Sequence, residues 1–547
     1  MLQRRHSLSI VPARLADRRV LAGIIGLAAI AILIGGAFAG LVVEALNDWS
    51  SAVSALDAYL FRVARFTLWQ ATLSTILSVL PALFVARALA RHPHFPGRAF
   101  ILRLFALPLA LPAIVAALGI LALLGRAGIL AQPLTDVFGV RWQGIYGLSG
   151  ILVAHVFFNL PLATRLLLHA LETVPSDQWR LAAQLGMGAR SSFRLIEWPV
   201  LRAALPGVAG LVFMLCVTSF TIVLTLGGGP RATTLEVAIY QALRFDFDPA
   251  RALALTALQI VLTVAVVVLL TRTGANMAGD ANLPVAPRRP VVAGRAERLA
   301  NGTTILAALI FVAAPLAATI IAGLRADLSR LAADPAVHAA TLTSLLLASL
   351  SALLCVALSL SLTMARRAME VRRPTSAAPS LLERMLDTGA GFVLVVPPIV
   401  VGAGWFILLR HTGQVFAIAP VMVVTVNAVM AMPFAIRAIR PAWDAASGRN
   451  DRLCASLGIA GSNRFRLIDW PSIRGPALMA LSFAMALSLG DLGVIALFGS
   501  ESVQTLPYLL LARMGSYRTE DAAGLALFLG AICLLLMLLV DRSRAKS

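Results

Sequence analysis

Lysine is almost missing from this chain of 547 residues. Lys546 is the only one, and the other 45 basic residues are arginines. A phosphate-binding P-loop needs a lysine directly after its glycines to reach the β- and γ-phosphates, so ATP hydrolysis by that route is excluded. Charge of any sign is also scarce, at 13% of residues, where soluble domains carry about 25%. With 59% hydrophobic residues and a mean hydropathy of +0.87, a water-soluble fold would lack polar side chains to cover its surface. The four cysteines (Cys216, Cys355, Cys454, Cys533) form no C-x-x-C pair, and the seven histidines show no H-x-x-x-H spacing. No metal, cofactor or catalytic residue is expected on those grounds.

Uncharged apolar sequence is abundant, in runs of about 20 residues, the length that crosses a bilayer as a helix. The first six predicted spans are Val20–Val43, Phe66–Ala86, Leu104–Leu124, Ile145–Leu160, Leu205–Leu226 and Ala252–Leu270. Six more follow at Thr304–Leu324, Ala340–Leu362, Phe392–Leu409, Phe416–Met432, Ala477–Leu497 and Ala522–Val540. Backbone groups in lipid find partners only in helices and closed barrels. The expected fold is therefore an all-α polytopic membrane protein with about twelve transmembrane helices. The apolar run of the first span exceeds the 7–15 residues of a signal peptide core, which predicts an uncleaved helix.

The formal net charge is +20, and its placement says what it is for. Seven segments (1–19, 87–103, 165–202, 272–298, 366–384, 437–474 and 541–547) hold 34 of the 46 basic residues. They alternate with thinly charged ones. This is the positive-inside pattern of a multi-pass membrane protein with both termini cytoplasmic. It also excludes nucleic acid, which would gather the arginines on one soluble face.

The chain repeats itself. Arg180–Pro199 lies on Arg452–Pro471 at an offset of 272 residues, with 11 of 20 positions identical. The same offset matches Pro161 with Pro433, Arg165 with Arg437 and Arg202 with Arg474. An even number of spans separates the copies, so the two six-helix repeats run parallel. The expected domains are a first transmembrane half at 1–270, a cytoplasmic linker at 271–300 and a second transmembrane half at 301–547. Parallel repeats place a pathway at the interface between halves, near the midplane.

The strongest repeat sits in the long loop after the fourth span of each half. Gly186 suits a left-handed helix end, a short amphipathic piece follows, and Pro199 suits the first turn of a new helix. The second copy has the same order. A unit of this kind, projecting twice from the bilayer, makes a pair of docking surfaces; helices resting on lipid headgroups are the plainer alternative.

The pattern Leu-Gly-x6-Phe-Arg-x4-Pro resembles the "EAA" loop of type I ABC-importer permeases. It occurs as Leu185, Gly186, Phe193, Arg194 and Pro199, and again as Leu457, Gly458, Phe465, Arg466 and Pro471. The resemblance implies that each loop couples to a separate cytoplasmic ATPase, which binds as a homodimer. One departure is that Arg180 and Arg452 replace the acidic residue that names the motif. Stretches such as His155–Pro161, Leu226–Pro230, Ala238–Leu243 and Gly515–Arg518 resemble fused permeases of bacterial thiamine importers. That likeness implies uptake of thiamine and its phosphate esters, delivered by a periplasmic thiamine-binding protein. Related fused permeases carry ferric iron, sulfate or molybdate.

Asp491 interrupts an apolar span, at a cost of about 2.5–3.5 kcal/mol unless it faces water or partners. Either it lines the pathway, where it favours a cationic solute, or it bonds to a neighbouring helix and fixes packing. Its counterpart in the first half is Ser219, and Thr221 lies beside it as a weaker pathway candidate. An ion-coupled secondary transporter, also two parallel six-helix halves, is the rival class. It usually needs several intramembrane ionisable groups, and here Asp491 stands alone.

Overall fold

In the computed structural model the described residues are 18–47, 49–139, 141–272, 294–373, 377–392, 396–410, 412–413, 415–459, 461–500 and 503–544. Most of the expected linker, and Lys546, lie outside them. Among the described residues regular structure is helical, apart from one isolated bridge between Ser500 and Val503. The first half contains α1 (Arg18–Asn47), α2 (Ala58–Arg91), α3 (Ala113–Leu124), α4 (Leu148–Glu172), α5 (Trp198–Val217) and α6 (Pro249–Arg272). The second contains α7 (Arg295–Arg325), α8 (Pro335–Arg372), α9 (Pro398–Arg410), α10 (Ala419–Ser456), α11 (Trp470–Leu489) and α12 (Thr519–Arg544). Ten of these twelve positions hold helices long and apolar enough to cross a membrane unbroken.

The exceptions are α3 and α9. The straight span expected over Leu104–Leu124 is split, because the helical stretch Arg98–Ala110 meets α3 at 112°. Pro112 is the cause: it has no amide hydrogen to donate and holds Leu111 extended at φ −84, ψ 138. In the second half α9 has 13 residues, roughly 20 Å at 1.5 Å per residue, and Pro397 and Pro398 stand at its start. That is short of the ~30 Å hydrocarbon core. Among the described residues neither half has an unbroken third span.

The first helix of each half packs on the other half. α1 lies against α8 and α9, and α7 against α2 and α3. The approach is close enough to require glycine: a Cβ on Gly40 would sit 2.1 Å from the Gly404 carbonyl oxygen, and one on Gly119 2.2 Å from Thr319 Oγ1. In lipid, where burial gives no drive between helices, small residues allow the packing that holds them. Trp405 Nε1 donates to the Leu33 carbonyl at 2.7 Å, and Arg410 pairs with Glu44 at 2.7 Å.

Between the fifth and sixth spans lies a short helix, Leu235–Arg244 in one half and Leu506–Gly515 in the other, on the face opposite the repeated loops. Each begins on a hydroxyl of its second span. Leu235 N–H donates to Thr67 Oγ1 at 3.0 Å, and Leu506 N–H to Ser344 Oγ at 2.7 Å. Thr67→Val keeps the shape and leaves a buried N–H without a partner, which costs about 1–3 kcal/mol. The thermal midpoint of the solubilised protein should fall accordingly. An unchanged midpoint would remove this hydroxyl from the forces that seat the helix.

Candidate functional site

The repeated loops adopt one geometry twice. Gly186 has φ +63 and Gly458 φ +65. The residue after each glycine closes the turn, Met187 N–H to the Ala182 carbonyl and Ile459 N–H to the Cys454 carbonyl, both at 2.9 Å. A left-handed residue with this five-back bond is the usual way to end a helix, and glycine takes it without a Cβ penalty. Upstream the copies differ. Pro175 holds the Ser176–Gln184 helix apart from α4, whereas α10 runs on to Ser456 without a break.

Downstream, Ala189–Ser192 and Gly461–Arg464 lead into single wide turns, Phe193–Glu197 and Phe465–Asp469. There the bonds reach five residues back, as in Trp198 N–H to the Phe193 carbonyl. Pro199 and Pro471 stand in the first turns of α5 and α11, as expected, and the wide turn before each joins it to a helical stretch running over Ala189–Val217 and Gly461–Leu489. The widened turn gives the proline ring room in a helix already under way.

The side chains sort clearly. Phe193 and Phe465 are half-buried, each stacked on the tryptophan that follows at ring distances of 6.0 and 6.1 Å. Arg194, Arg466, Pro199 and Pro471 are exposed. So are four matched apolar pairs: Leu181 with Leu453, Leu185 with Leu457, Leu195 with Leu467, and Trp198 with Trp470. Arg180 is exposed with Asp177 3.6 Å away, while the Arg452 side chain lies outside the description.

A buried acid anchors each wide turn, and sequence reasoning missed it. Glu197, 1% exposed, accepts from Arg87 at 2.8 Å and Arg91 at 2.9 Å, both on α2. Arg91 also pairs with Glu297 on α7, so one cluster joins a loop, a second span and the other half's first helix. Asp469 is held differently. Arg464 lies 3.4 Å away and pairs with Asp451, which reaches Arg367 of α8 at 3.4 Å. The available signal was an acid at the same place in both copies, Glu197 and Asp469.

Asp491 does not sit within a continuous span. α11 ends at Leu489, and a short helix resumes at Gly493–Phe498. The first half breaks at the matching place, between α5 and the Phe220–Leu226 helix, with Ser219 extended at φ −94, ψ 92. Ser219 and Thr221 flank buried Phe220 there and are half-buried. These breaks meet across the halves. A Cβ on Gly493 would lie 3.6 Å from Asp491 Oδ1 and 3.9 Å from Phe220, and one on Gly490 3.2 Å from Pro112. Asp491 Oδ1 accepts the Gly493 N–H at 3.1 Å, and no salt bridge reaches it among the described residues. Beside the breaks, Asn159 donates to Cys216 Sγ at 3.3 Å and Asn427 to Ser488 Oγ at 3.0 Å, tying fourth spans to fifth.

A helical membrane bundle with a duplicated loop on one face, and broken helices converging between its halves, has the form of a transport subunit. Residues 79–277 match the family of binding-protein-dependent transport system inner membrane components. The chain is 58% identical over 526 residues to the thiamine transport system permease protein ThiP of Brucella abortus strain 2308, covering 96% of this chain and 95% of that one. It is 43% identical to the protein of the same name from Escherichia coli K12, over 91% of each. A putative ferric transport system permease of Haemophilus influenzae is 27% identical over 39% of this chain. The protein is an ABC-transporter permease, an all-α multi-pass protein of the inner membrane. Within that class, the chain belongs to the thiamine transport system permease family.

Proposed function

We propose that this permease carries thiamine and its phosphate esters inward across the membrane, driven by a separate ATPase homodimer and supplied by a periplasmic thiamine-binding protein. The observation that carries the substrate is identity of 43–58% to thiamine permeases over nearly the whole chain. The ferric relative reaches only 39% of it. Coupling rests on Gly186, Phe193, Arg194 and Pro199, with Gly458, Phe465, Arg466 and Pro471. In this reading the half-buried phenylalanines stiffen the turns, and the exposed leucines and arginines meet the ATPase, one loop per subunit. The basic segments support a cytoplasmic position for that face and for both termini. The halves at 1–270 and 301–547 enclose the pathway, which Asp491, Ser219 and Thr221 line where the broken helices converge.

The test is uptake of labelled thiamine into proteoliposomes holding the permease, its ATPase and its binding protein. ATP-dependent accumulation supports the reading. Accumulation by the permease alone, driven by an ion gradient, overturns it. In the same assay Asp491→Asn should lower thiamine uptake about tenfold, equivalent to ~1.4 kcal/mol of lost attraction to a cationic thiazolium, while ATPase binding is unchanged. Undiminished uptake would return Asp491 to a packing role.

A further inference from the structure

Among the described residues, ten glycines and only two other residues have positive φ: Phe247 at +52 and Tyr517 at +60. A bulky side chain in the left-handed region is a true outlier and carries strain. The two stand at matching places. Phe247 lies in the turn from the Leu235–Arg244 helix to α6, and Tyr517 in the turn from the Leu506–Gly515 helix to α12. The turns close with Asp248 N–H on the Ala242 carbonyl at 2.8 Å and Arg518 N–H on the Arg513 carbonyl at 3.0 Å. Glycine does this work at Gly186 and Gly458, so the turn itself does not call for an aromatic. Nor does packing, since Phe247 is 80% and Tyr517 93% exposed.

The surroundings of the two rings differ in charge. Phe247 follows exposed Asp246 and borders a cavity of about 610 Å³ lined by Glu44, Ser54, Asp248, Arg251 and Arg410. Tyr517 is followed by exposed Arg518, with exposed Glu520 two residues further on. Both rings stand on the face opposite the repeated loops.

We propose that Phe247 and Tyr517 are the paired anchors on which the periplasmic binding protein docks, one ring under each of its lobes. The proposal rests on the transport reading above, in which a soluble protein must meet this face. Rigid, exposed aromatics are the residues that most often dominate such contacts. The strained backbone holds each ring outward, so little side-chain freedom is lost on binding. The partner lobe over Phe247 presents a basic rim to Asp246, and the lobe over Tyr517 an acidic one to Arg518, which sets a single docking orientation.

The test uses the full permease–ATPase complex in nanodiscs and purified thiamine-binding protein, with the Kd read directly and ATP hydrolysis alongside. Phe247→Ala and Tyr517→Ala should each weaken binding about 10- to 30-fold, and the double variant by roughly the product. Hydrolysis without binding protein should be unchanged. Phe247→Gly and Tyr517→Gly relieve the strain, so they should weaken docking equally without lowering the thermal midpoint, which separates lost contact from misfolding. Binding within twofold of wild type for both alanine variants overturns the proposal. It is equally overturned if docking holds while the midpoint falls in nanodiscs but not in detergent, which would make the rings lipid anchors. Wild-type docking without thiamine uptake would overturn the substrate assignment alone, and uptake with unaffected variants the anchors alone.

Discussion

Gly458→Pro is expected to cut ATP-driven uptake by more than tenfold while the permease still inserts in the membrane. Gly458 has φ +65, and the proline ring holds φ near −65, so the turn cannot form as it stands. Nothing lies within 4 Å of a Cβ built there, so the loss comes from the backbone and not from a clash. With the turn goes the Ile459 to Cys454 bond, and Leu457 and Leu467 lose their fixed relation. Gly458→Ala makes the graded control. It meets open space and pays only the left-handed cost of roughly 1–2 kcal/mol, which corresponds to about a 5- to 30-fold loss at most. ATPase retention on the immobilised permease, measured beside uptake, checks both variants. If retention and uptake survive the proline, the coupling role of this loop is wrong.

Glu197→Ala should destabilise the protein by about 3–5 kcal/mol, the range for removing one partner of a buried ion cluster. The variant takes the Glu197 carboxylate from Arg87 and Arg91 beneath the wide turn, although both stay within reach of Glu297, which holds the loss toward the lower end. Asp469→Ala should cost less, because Arg464 retains Asp451. Thermal unfolding of the two variants in the same detergent measures the difference. Equal losses would contradict the asymmetry between the two anchors. Because Glu197 sits between a repeated loop and the first helix of the other half, its loss should also lower ATP-driven uptake by protein that remains folded.

Much of this architecture was legible in the chain. Apolar runs of bilayer length are a direct consequence of lipid as solvent, and ten of the twelve predicted spans coincide with helices long and apolar enough to cross a membrane. The 272-residue repeat located both loops, and Gly186 and Gly458 were readable as left-handed helix ends because few other residues tolerate that conformation. The prolines were readable too, but their effect was not. Pro112 breaks a span, whereas Pro161 and Pro433 lie inside unbroken helices and Pro199 rides on a wide turn. What separates them is which neighbouring groups absorb the missing bond, and those neighbours are remote in sequence.

The sequence by itself determined the class of fold, the duplication and the place of the repeated loops. These follow from composition and local backbone chemistry. Tertiary structure alone decided that the first helix of each half packs on the other half, since Gly40 of α1 meets Gly404 and Gly119 of α3 meets Thr319 of α7, partners remote in sequence. It alone brought Asp491, Phe220 and Pro112 to one place. It also revealed the arginines that hold Glu197 and the strain under Phe247 and Tyr517. Each of these depends on distance across the chain or on a dihedral that non-glycine residues seldom adopt, and neither is written in local pattern.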